Sequence, residues 1–598
     1  MSNPPKSPSS TTPHSNSVDL ASLARQFHHY EAFDALEYSR IETENGINWA
    51  SLWEKQVISR AVQIALIDAD SATEYSYLAL DRLADAVAHW ALQNHFPERI
   101  GLFQLNNVAL VATLLGLAKV GRHAVVFHNN EDPLRVQKLC KRLGVKSIIG
   151  STIPGVASLS GENIVNMPWP GPISATFRQH VQADDAAAIL FTSGVRGDSR
   201  PIYCSHRRLI SSVICQSQRL QMTAKDRCYL TTGLTHAEGL IMGLATCFHM
   251  GATAVTATNI QNDDTTWLQQ LQDTQCTMLQ YSGGFWRHAI AGLSSASTEN
   301  NGAISHTLNT VFGSGLTTEL HHSVVKHFNI KRVIEYYWAA DMPDMPLFNW
   351  SSRPGACGYI PPAHPSAEDI ILLNAEGKIV AEGEPGEALL RIRDKRFKRY
   401  LDSKSHNNNV ATNVLTPGDR WWRSGDILSR NADGFFQFIK HAYTESEWEQ
   451  DIICLARVEQ ALNDIGQFKE VAVYTAPVPA YDHPAIMASI VPSCSVFDLD
   501  LEEILMCLQS TLPSTWVPRL LRISSKPHSK TANFKIPTAE LSSKSFFFIE
   551  EADHFVLENG IYQLIDLEKL RQFDENQVEL GFGGKEFGIE IPTLVEAI

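Results

Sequence analysis

Between Tyr77 and Gln93 the apolar residues Leu80, Leu83, Ala84, Val87 and Ala91 recur at helical intervals and fall on one face. A second helix is predicted near Val108–Val120, stopping at Gly121, and Ala124–Phe127 reads as a short apolar strand. Pro133 opens a further helix that Gly144 ends, as proline suits the first helical position and glycine the residue after the last. Val145–Ile149 is another strand. Strands alternating with helices imply parallel sheets with crossover helices, and the pattern continues, less regularly, to about residue 340. Turn-rich, sheet-like sequence follows, with a turn at Gly383-Glu384-Pro385-Gly386-Glu387 and a polar, loop-like stretch at Ser403–Thr416. A boundary is expected near Phe438–His441. Beyond it lie a helix at Arg457–Asp464, strands at Glu470–Tyr474 and Ile486–Val491, a helix at Leu501–Leu512 and a strand at Arg519–Ile523. The expected fold is therefore α/β. A large N-terminal domain (residues 18–438) layers α/β sheets with a β-rich subdomain, and a small α+β domain (439–598) follows it. Residues 1–17, rich in Ser, Pro, Thr and Asn, read as a disordered leader.

Bulk properties narrow the class. A chain of 598 residues is too long for one ordinary core. Its net charge of −15 argues against a nucleic-acid partner, although a local pocket can still oppose the global sign for a small anion. The ten cysteines show neither CxxC nor zinc-finger spacing, so they read as reduced, intracellular and mostly buried. The N-terminus lacks the apolar core of a signal peptide. Val108–Val120, the longest apolar run, is interrupted by Lys119 and too short to span a bilayer. The C-terminal Val595-Glu596-Ala597-Ile598 carries no retention or peroxisomal signal.

The chemistry begins where the apolar strand Ala186–Phe191 runs into Thr192-Ser193-Gly194-Val195-Arg196-Gly197-Asp198-Ser199-Arg200. Such a loop can aim backbone N–H groups and hydroxyls at phosphates. Taken alone, it is more simply a polar turn before a helix at Ser205–Leu220. Other segments follow in order: Thr235-His236, Gly313-Ser314-Gly315-Leu316, Glu335-Tyr336-Tyr337-Trp338-Ala339-Ala340-Asp341, Arg353-Pro354-Gly355-Ala356-Cys357-Gly358, Trp422-Arg423-Ser424-Gly425-Asp426 and Thr531-Ala532-Asn533-Phe534-Lys535. In this order and spacing they resemble the adenylate-forming superfamily of acyl-CoA synthetases. The Arg-Pro-Gly-Ala-x-Gly run, Met278–Gly283 and the Thr-x-x-Phe-Lys ending resemble the fatty acid transport protein and very-long-chain acyl-CoA synthetase branch most closely, and the tail at Asp553–Leu567 also fits that branch. The resemblance spans roughly residues 50 to 570.

The resemblance implies ATP, Mg²⁺ and CoA as cofactors, and a small carboxylic acid, fatty or polyketide-like, as substrate. In the family the acid attacks the α-phosphate of ATP, pyrophosphate leaves, and a mobile C-terminal domain swings so that CoA attacks the acyl-adenylate. A carboxylate is a poor electrophile, and AMP makes it an anhydride with a good leaving group. Two anions must approach, so positive charge is needed. Thr192, Ser193, Gly194 and Gly197 match the phosphate loop. Arg200 keeps the charge of the family's lysine as a larger, rigid fork. His236 matches the histidine near the acyl site, and further acyl-pocket segments are expected at Gln280–Gly284 and Gly313–Leu316. Gly313 and Gly315 belong to the segment along adenine, and Tyr337 matches the residue stacked on it. Asp426 matches the carboxylate that accepts both ribose hydroxyls, rather than a simple turn or cap. Lys440 takes the hinge position. His441 stands where a nucleotide-contacting arginine is expected. Lys535 matches the lysine bridging carboxylate and α-phosphate, although a lone lysine there also reads as a solvated charge.

The departures are as informative. Val195 replaces a threonine whose hydroxyl is aimed at phosphate. Ala340 lacks the next hydroxyl, and Asp341, in place of glutamate, is one methylene short for Mg²⁺. It is left to hold the ion through water, poorly, or not at all. Trp338 replaces a glycine and so narrows or fills the acyl tunnel. Trp448-Glu449-Gln450-Asp451-Ile452-Ile453 keeps little of the Trp-Lys-Gly-Glu-Asn-Val loop used for thioester formation. Three readings follow: an acyl-CoA ligase with an unusual site, an adenylating enzyme with another acceptor, or an impaired homologue that binds an acyl ligand or a partner protein. The branch's N-terminal apolar segment is missing, so a cytoplasmic or peripherally membrane-associated protein is expected.

Overall fold

Helix Pro133–Leu143 shows how local chemistry sets the elements. Asp132 accepts the Leu134 N–H at 3.2 Å, Pro133 occupies the first turn, and Gly144 ends the helix at φ +68°, which glycine adopts without steric cost. The computed structural model describes residues 19–565, apart from 106, 130, 160–163, 192–199, 259–265, 297–305, 343–346, 375, 394–408, 442–444, 449–450, 477–483, 531–535, 544–551 and 559.

Two α/β sheets dominate the first part of the chain. In one, Ile64–Asp68, Thr253–Thr256, Arg227–Leu230, Met278–Ser282, Thr310–Ser314 and Arg332–Tyr337 run parallel, flanked by antiparallel Thr73–Ser76 and Leu347–Asn349. In the other, Ala157–Leu159, Ser147–Gly150, Arg99–Phe103, His123–Val126 and Ala186–Phe191 run parallel. Helix Asn107–Lys119, buried from Val108 onward, packs on helix Tyr77–Gln93. A Cβ on Gly116 would lie 2.6 Å from Ala84 O, so the glycine allows the two backbones to close up. Lys119 is buried with this helix and is neutralised by Asp81 and Asp85, each at 2.6 Å. Trp169 Nε1 (3.2 Å) and the Ile173 N–H (3.3 Å) also donate to Asp85. The pairing offsets the cost of burying three charges.

A third, antiparallel sheet comprises Gly358–Tyr359, Phe435–His441, Arg420–Arg430, Gly386–Arg391 and Ile370–Leu373, with Val410–Thr412 added to Arg420–Arg430. Residues beyond 454 have a core of their own. Val458 and Leu462 of helix Leu455–Asp464 and Leu508 of helix Leu501–Thr511 pack on Tyr474, Met487, Ile490 and Leu521. The predicted elements of this region are all present, and the Asp553–Leu567 tail supplies the outer hairpin of its sheet, Ala552–Glu558 with Ile561–Leu564.

The structure adds elements the pattern did not announce. Pro201–Ser205 is a strand that folds back antiparallel onto Ala186–Phe191, so the phosphate-loop candidate joins two strands rather than a strand and a helix. The helix then begins at His206, capped by Ser205, whose hydroxyl accepts the Arg208 N–H at 3.2 Å. Helices Leu20–Glu44 and Trp49–Arg60 precede the first sheet. Phe438–His441 is the end of a strand, and 442–444 lie outside the described residues, as do the leader 1–17 and 403–408 of the Ser403–Thr416 stretch, whose later part contains the strand Val410–Thr412. No helix among the described residues is long and apolar enough to cross a membrane.

Candidate active site

Ligand sites of open α/β sheets form outside the carboxyl ends of the strands. Met278–Ser282, Thr310–Ser314 and Arg332–Tyr337 are parallel neighbours, so Ser282, Ser314 and Tyr337 finish at one edge. Glycine is obligatory there. A Cβ on Gly313 would lie 2.0 Å from Tyr281 O, and one on Gly283 would lie 2.0 Å from Gly315 O. Gly315 itself adopts φ +95°, a conformation closed to ordinary side chains.

Glu335 anchors this edge. It accepts the Gly315 N–H (3.2 Å), the Leu316 N–H (3.3 Å) and the Tyr281 hydroxyl. Burial pushes its carboxyl up to about 8, against the pull of those same donors. A second buried glutamate, Glu238, opens the helical segment Glu238–Ala245, whose π-type turn is a form often found at functional sites. Its Oε1 accepts the Ser314 (3.0 Å) and Tyr336 (2.8 Å) hydroxyls.

Strand register sets Asp426 directly opposite His441. Both Asp426 carboxyl oxygens are engaged: Oδ2 accepts the Tyr337 hydroxyl at 2.7 Å, and Oδ1 meets His441 Nδ1. Burial, then the adjacent Asp426, hold the Tyr337 phenol well above its usual range. Three sequence-predicted residues, Tyr337, Asp426 and His441, are thus in direct contact. Gly313 and Gly315 join them through Glu335, which lies on the same strand as Tyr337.

His236 is half-buried and stacks on His128 with ring centroids 6.3 Å apart. Its Nδ1 accepts the Glu238 N–H at 3.3 Å, which ties it to the same network. The segment after Tyr337 is bulky. The Trp338 ring lies against the main core, with the Arg208 guanidinium 5.4 Å from its centre, and Arg208 donates to Ala339 O at 3.0 Å. Asp341 is half-buried, and Arg200 is exposed at the head of strand Pro201–Ser205. Thr192, Ser193, Gly194, Gly197 and Lys535 lie outside the described residues. Glu445–Trp448 pairs antiparallel with Asp451–Cys454 where the thioester loop was expected, and 449–450 lie outside the described residues.

No group of three or more His, Cys, Asp or Glu side chains able to hold a metal occurs among the described residues. Mg²⁺ commonly takes one or two carboxylates and completes its shell with phosphate and water. Asp341 is of the type such a site requires. The site's two glutamates and Arg208 were not singled out from sequence. An acidic residue inside the apolar strand Arg332–Tyr337 is the one signal that could have pointed to Glu335.

A family model described as AMP-binding enzyme matches residues 53–401. Long-chain fatty acid transport protein 1 of Homo sapiens is 24% identical over 537 residues, covering 81% of this chain and 80% of that protein. A medium/long-chain-fatty-acid–CoA ligase of Mycobacterium tuberculosis is 24% identical over 389 residues, 63% of each chain. Among solved structures, an anthranilate CoA ligase in complex with anthranoyl-AMP superposes with a TM-score of 0.66 at 18% identity, covering 83% of this chain and 97% of that one. O-succinylbenzoate coenzyme A synthetase of Bacillus subtilis, in complex with ATP and magnesium, gives 0.65 at 14%, covering 83% and 99%. With its sheets and with more than half its length matched by the family model, the chain belongs to the AMP-binding enzyme family.

Proposed function

We propose that the protein activates a carboxylic acid of fatty or polyketide-like type with ATP, through an acyl-adenylate, and passes the acyl group to CoA. The observation that supports this most is Asp426, held beside Tyr337 and next to the Gly313–Leu316 edge. Its two oxygens suit two adjacent ribose hydroxyls. In this reading Asp426, Tyr337 and Gly315 hold the nucleoside, with His441 at the margin. Thr192, Ser193, Gly194, Gly197 and Arg200 cradle the phosphates, and Gly313 keeps the edge closely packed. Asp341 takes Mg²⁺, which when bound offsets phosphate charge. His236 lies at the acyl end. Lys535 sets its ammonium between carboxylate and α-phosphate, and residues 439–598 turn about Lys440 between the two half-reactions. The test is incubation with ATP, Mg²⁺ and a panel of acids, with hydroxylamine as the adenylate trap and CoA added afterwards. Acyl-hydroxamate, pyrophosphate and then thioester are expected.

Two observations favour a second reading, an impaired homologue that binds an acyl ligand or a partner. Ala340 and Asp341 weaken the phosphate and metal contacts, and both Asp426 oxygens already have protein partners. Acid binding without pyrophosphate release from any acid would decide for it. Pyrophosphate without thioester would indicate an acceptor other than CoA, as the altered 448–453 segment suggests.

A further inference from the structure

A cavity of about 240 Å³ lies where helices Leu20–Glu44, Trp49–Arg60, His206–Leu220 and Thr246–Met250 meet. No candidate active-site residue lines it. Helix His206–Leu220 contributes Ser217 and Gln218, which lie roughly 15 Å along the helix from Arg208 at 1.5 Å per residue. The inner wall is apolar, with Ile41 fully buried and Leu52 nearly so. Three cations line the cavity as well, Arg40, Lys55 and Arg60, and the first two reach solvent with 37% and 44% of their side chains exposed.

Charge does not balance there. Arg40 pairs with Glu37 and Glu44, and Lys55 shares Glu44 at 3.4 Å. Two carboxylates thus serve two cations. Arg60 has neutral partners instead: its Nη1 donates to Gln56 Oε1 at 2.7 Å and to Ser59 Oγ at 2.9 Å. His249, which also lines the cavity, adds no charge at pH 7, because burial pushes its imidazole down to about 4. In a chain of net charge −15, the lining residues and their ion-pair partners therefore hold three cations to two carboxylates. Arg60 is also fixed in place. A Cβ on Gly251, at φ +72°, would lie 2.2 Å from Arg60 Nε, so the side chain crosses a backbone that only glycine leaves open. Gln56 is held in turn by donating to His249 O at 2.8 Å. A cation ordered beforehand loses little freedom when it meets an anion.

We infer that this cavity binds a compact organic carboxylate, with its apolar body against Ile41 and Leu52 and its anion on Arg60. At about 30 Å³ per water-sized atom the volume takes about eight non-hydrogen atoms, the size of hexanoate. Such a site requires none of the adenylation chemistry.

The test is calorimetry of the full chain, without ATP, using hexanoate, butyrate, 1-hexanol and inorganic phosphate. Hexanoate should bind at least ~10-fold more tightly than 1-hexanol, which has the same body without the charge. Butyrate, two methylenes shorter, should bind about 10-fold more weakly than hexanoate. Arg60→Gln should weaken hexanoate at least ~10-fold, and Arg60→Lys, which keeps the charge, should lose less. Gln218→Trp, at a half-buried position of the wall, should block the cavity and decides if the Arg60 variants do not fold. Should two binding phases appear, the Arg60→Gln and Gln218→Trp variants must each remove the same one. No hexanoate binding, hexanoate binding that survives Arg60→Gln in full, or equal affinity for hexanoate and 1-hexanol would overturn the inference. Phosphate bound as tightly as hexanoate would overturn it too, since a bare anion gains nothing from the apolar wall.

Discussion

Replacing Glu335 by glutamine tests whether the site's edge is held by a neutral carboxyl. Burial raises its pKa to about 8 from an ordinary 4.5, while the donated hydrogen bonds of Tyr281, Leu316 and Gly315 act in the opposite direction. Between these two values the folded protein keeps a proton that the unfolded chain releases. Rising pH therefore favours unfolding through that window, and the effect levels off above about pH 8. One pH unit corresponds to about 1.4 kcal/mol. From about pH 6.5 to about pH 8 the wild type should thus lose about 1.5 kcal/mol relative to Glu335→Gln, after allowance for partial titration near the upper end. The glutamine has no proton to release, its oxygen still accepts the two backbone N–H groups, and the Tyr281 hydroxyl can turn to accept from the amide. Thermal and urea midpoints of both proteins across the window supply the measurement, and subtraction cancels every other titrating group. A constant gap between the two proteins, or a wild type that gains stability with pH, would refute the reasoning.

On the acid side the sign reverses. His206, His249 and His554 are each pushed down to about 4 by burial, so the unfolded chain takes up protons first, and stability should fall as pH drops below about 6.5. His206→Gln, which can still accept the Trp49 N–H, should soften that fall in an acid-titration midpoint. Lys119→Met should cost about 3–5 kcal/mol in denaturant unfolding, because Asp81 and Asp85 would be left buried without their cation. Asp426→Ala should weaken ATP binding in calorimetry, while Lys535→Ala should abolish adenylate formation and leave ATP binding nearly intact. An unaffected Lys535→Ala activity would break the assignment. Tyr337→Phe frees one Asp426 oxygen and should leave ATP affinity equal or higher, whereas lower affinity would mean that the Tyr337 hydroxyl supports the nucleotide.

Elements governed by near neighbours were legible in the sequence. Helix Pro133–Leu143 carries its cap, its proline and its terminal glycine within thirteen residues of chain, and the alternation of strands and helices foretold both parallel sheets. Strand Pro201–Ser205 was missed because its partner lies across a glycine-rich loop and its first residue is a proline, which cannot donate to a ladder. Helix Leu20–Glu44 was missed because only Leu23, Phe27, Tyr30 and Ile41 of its 25 residues are buried apolar side chains, too sparse for a periodic signal. In the site, the motif residues Tyr337, Asp426 and His441 were readable by resemblance. Glu238 and Glu335 take their meaning from partners 76, 98 and 54 residues away, Ser314, Tyr336 and Tyr281, and apart from the apolar strand around Glu335 no local pattern marks either as buried.

The first long helix has a consequence for synthesis. Gln26 accepts the Trp350 indole N–H across 324 residues of sequence, and Glu31 accepts the Ser366 hydroxyl across 335. At ribosomal speeds the partners of Leu20–Glu44 emerge on the order of tens of seconds after the helix itself. For that interval Phe27 and Tyr30, buried in the finished protein, have none of their distal cover. The nascent chain must hold this segment in solution while it waits, and its dense charge, with Glu31, Asp34, Glu37, Arg40, Glu42 and Glu44 interleaved among the apolar positions, is suited to that delay.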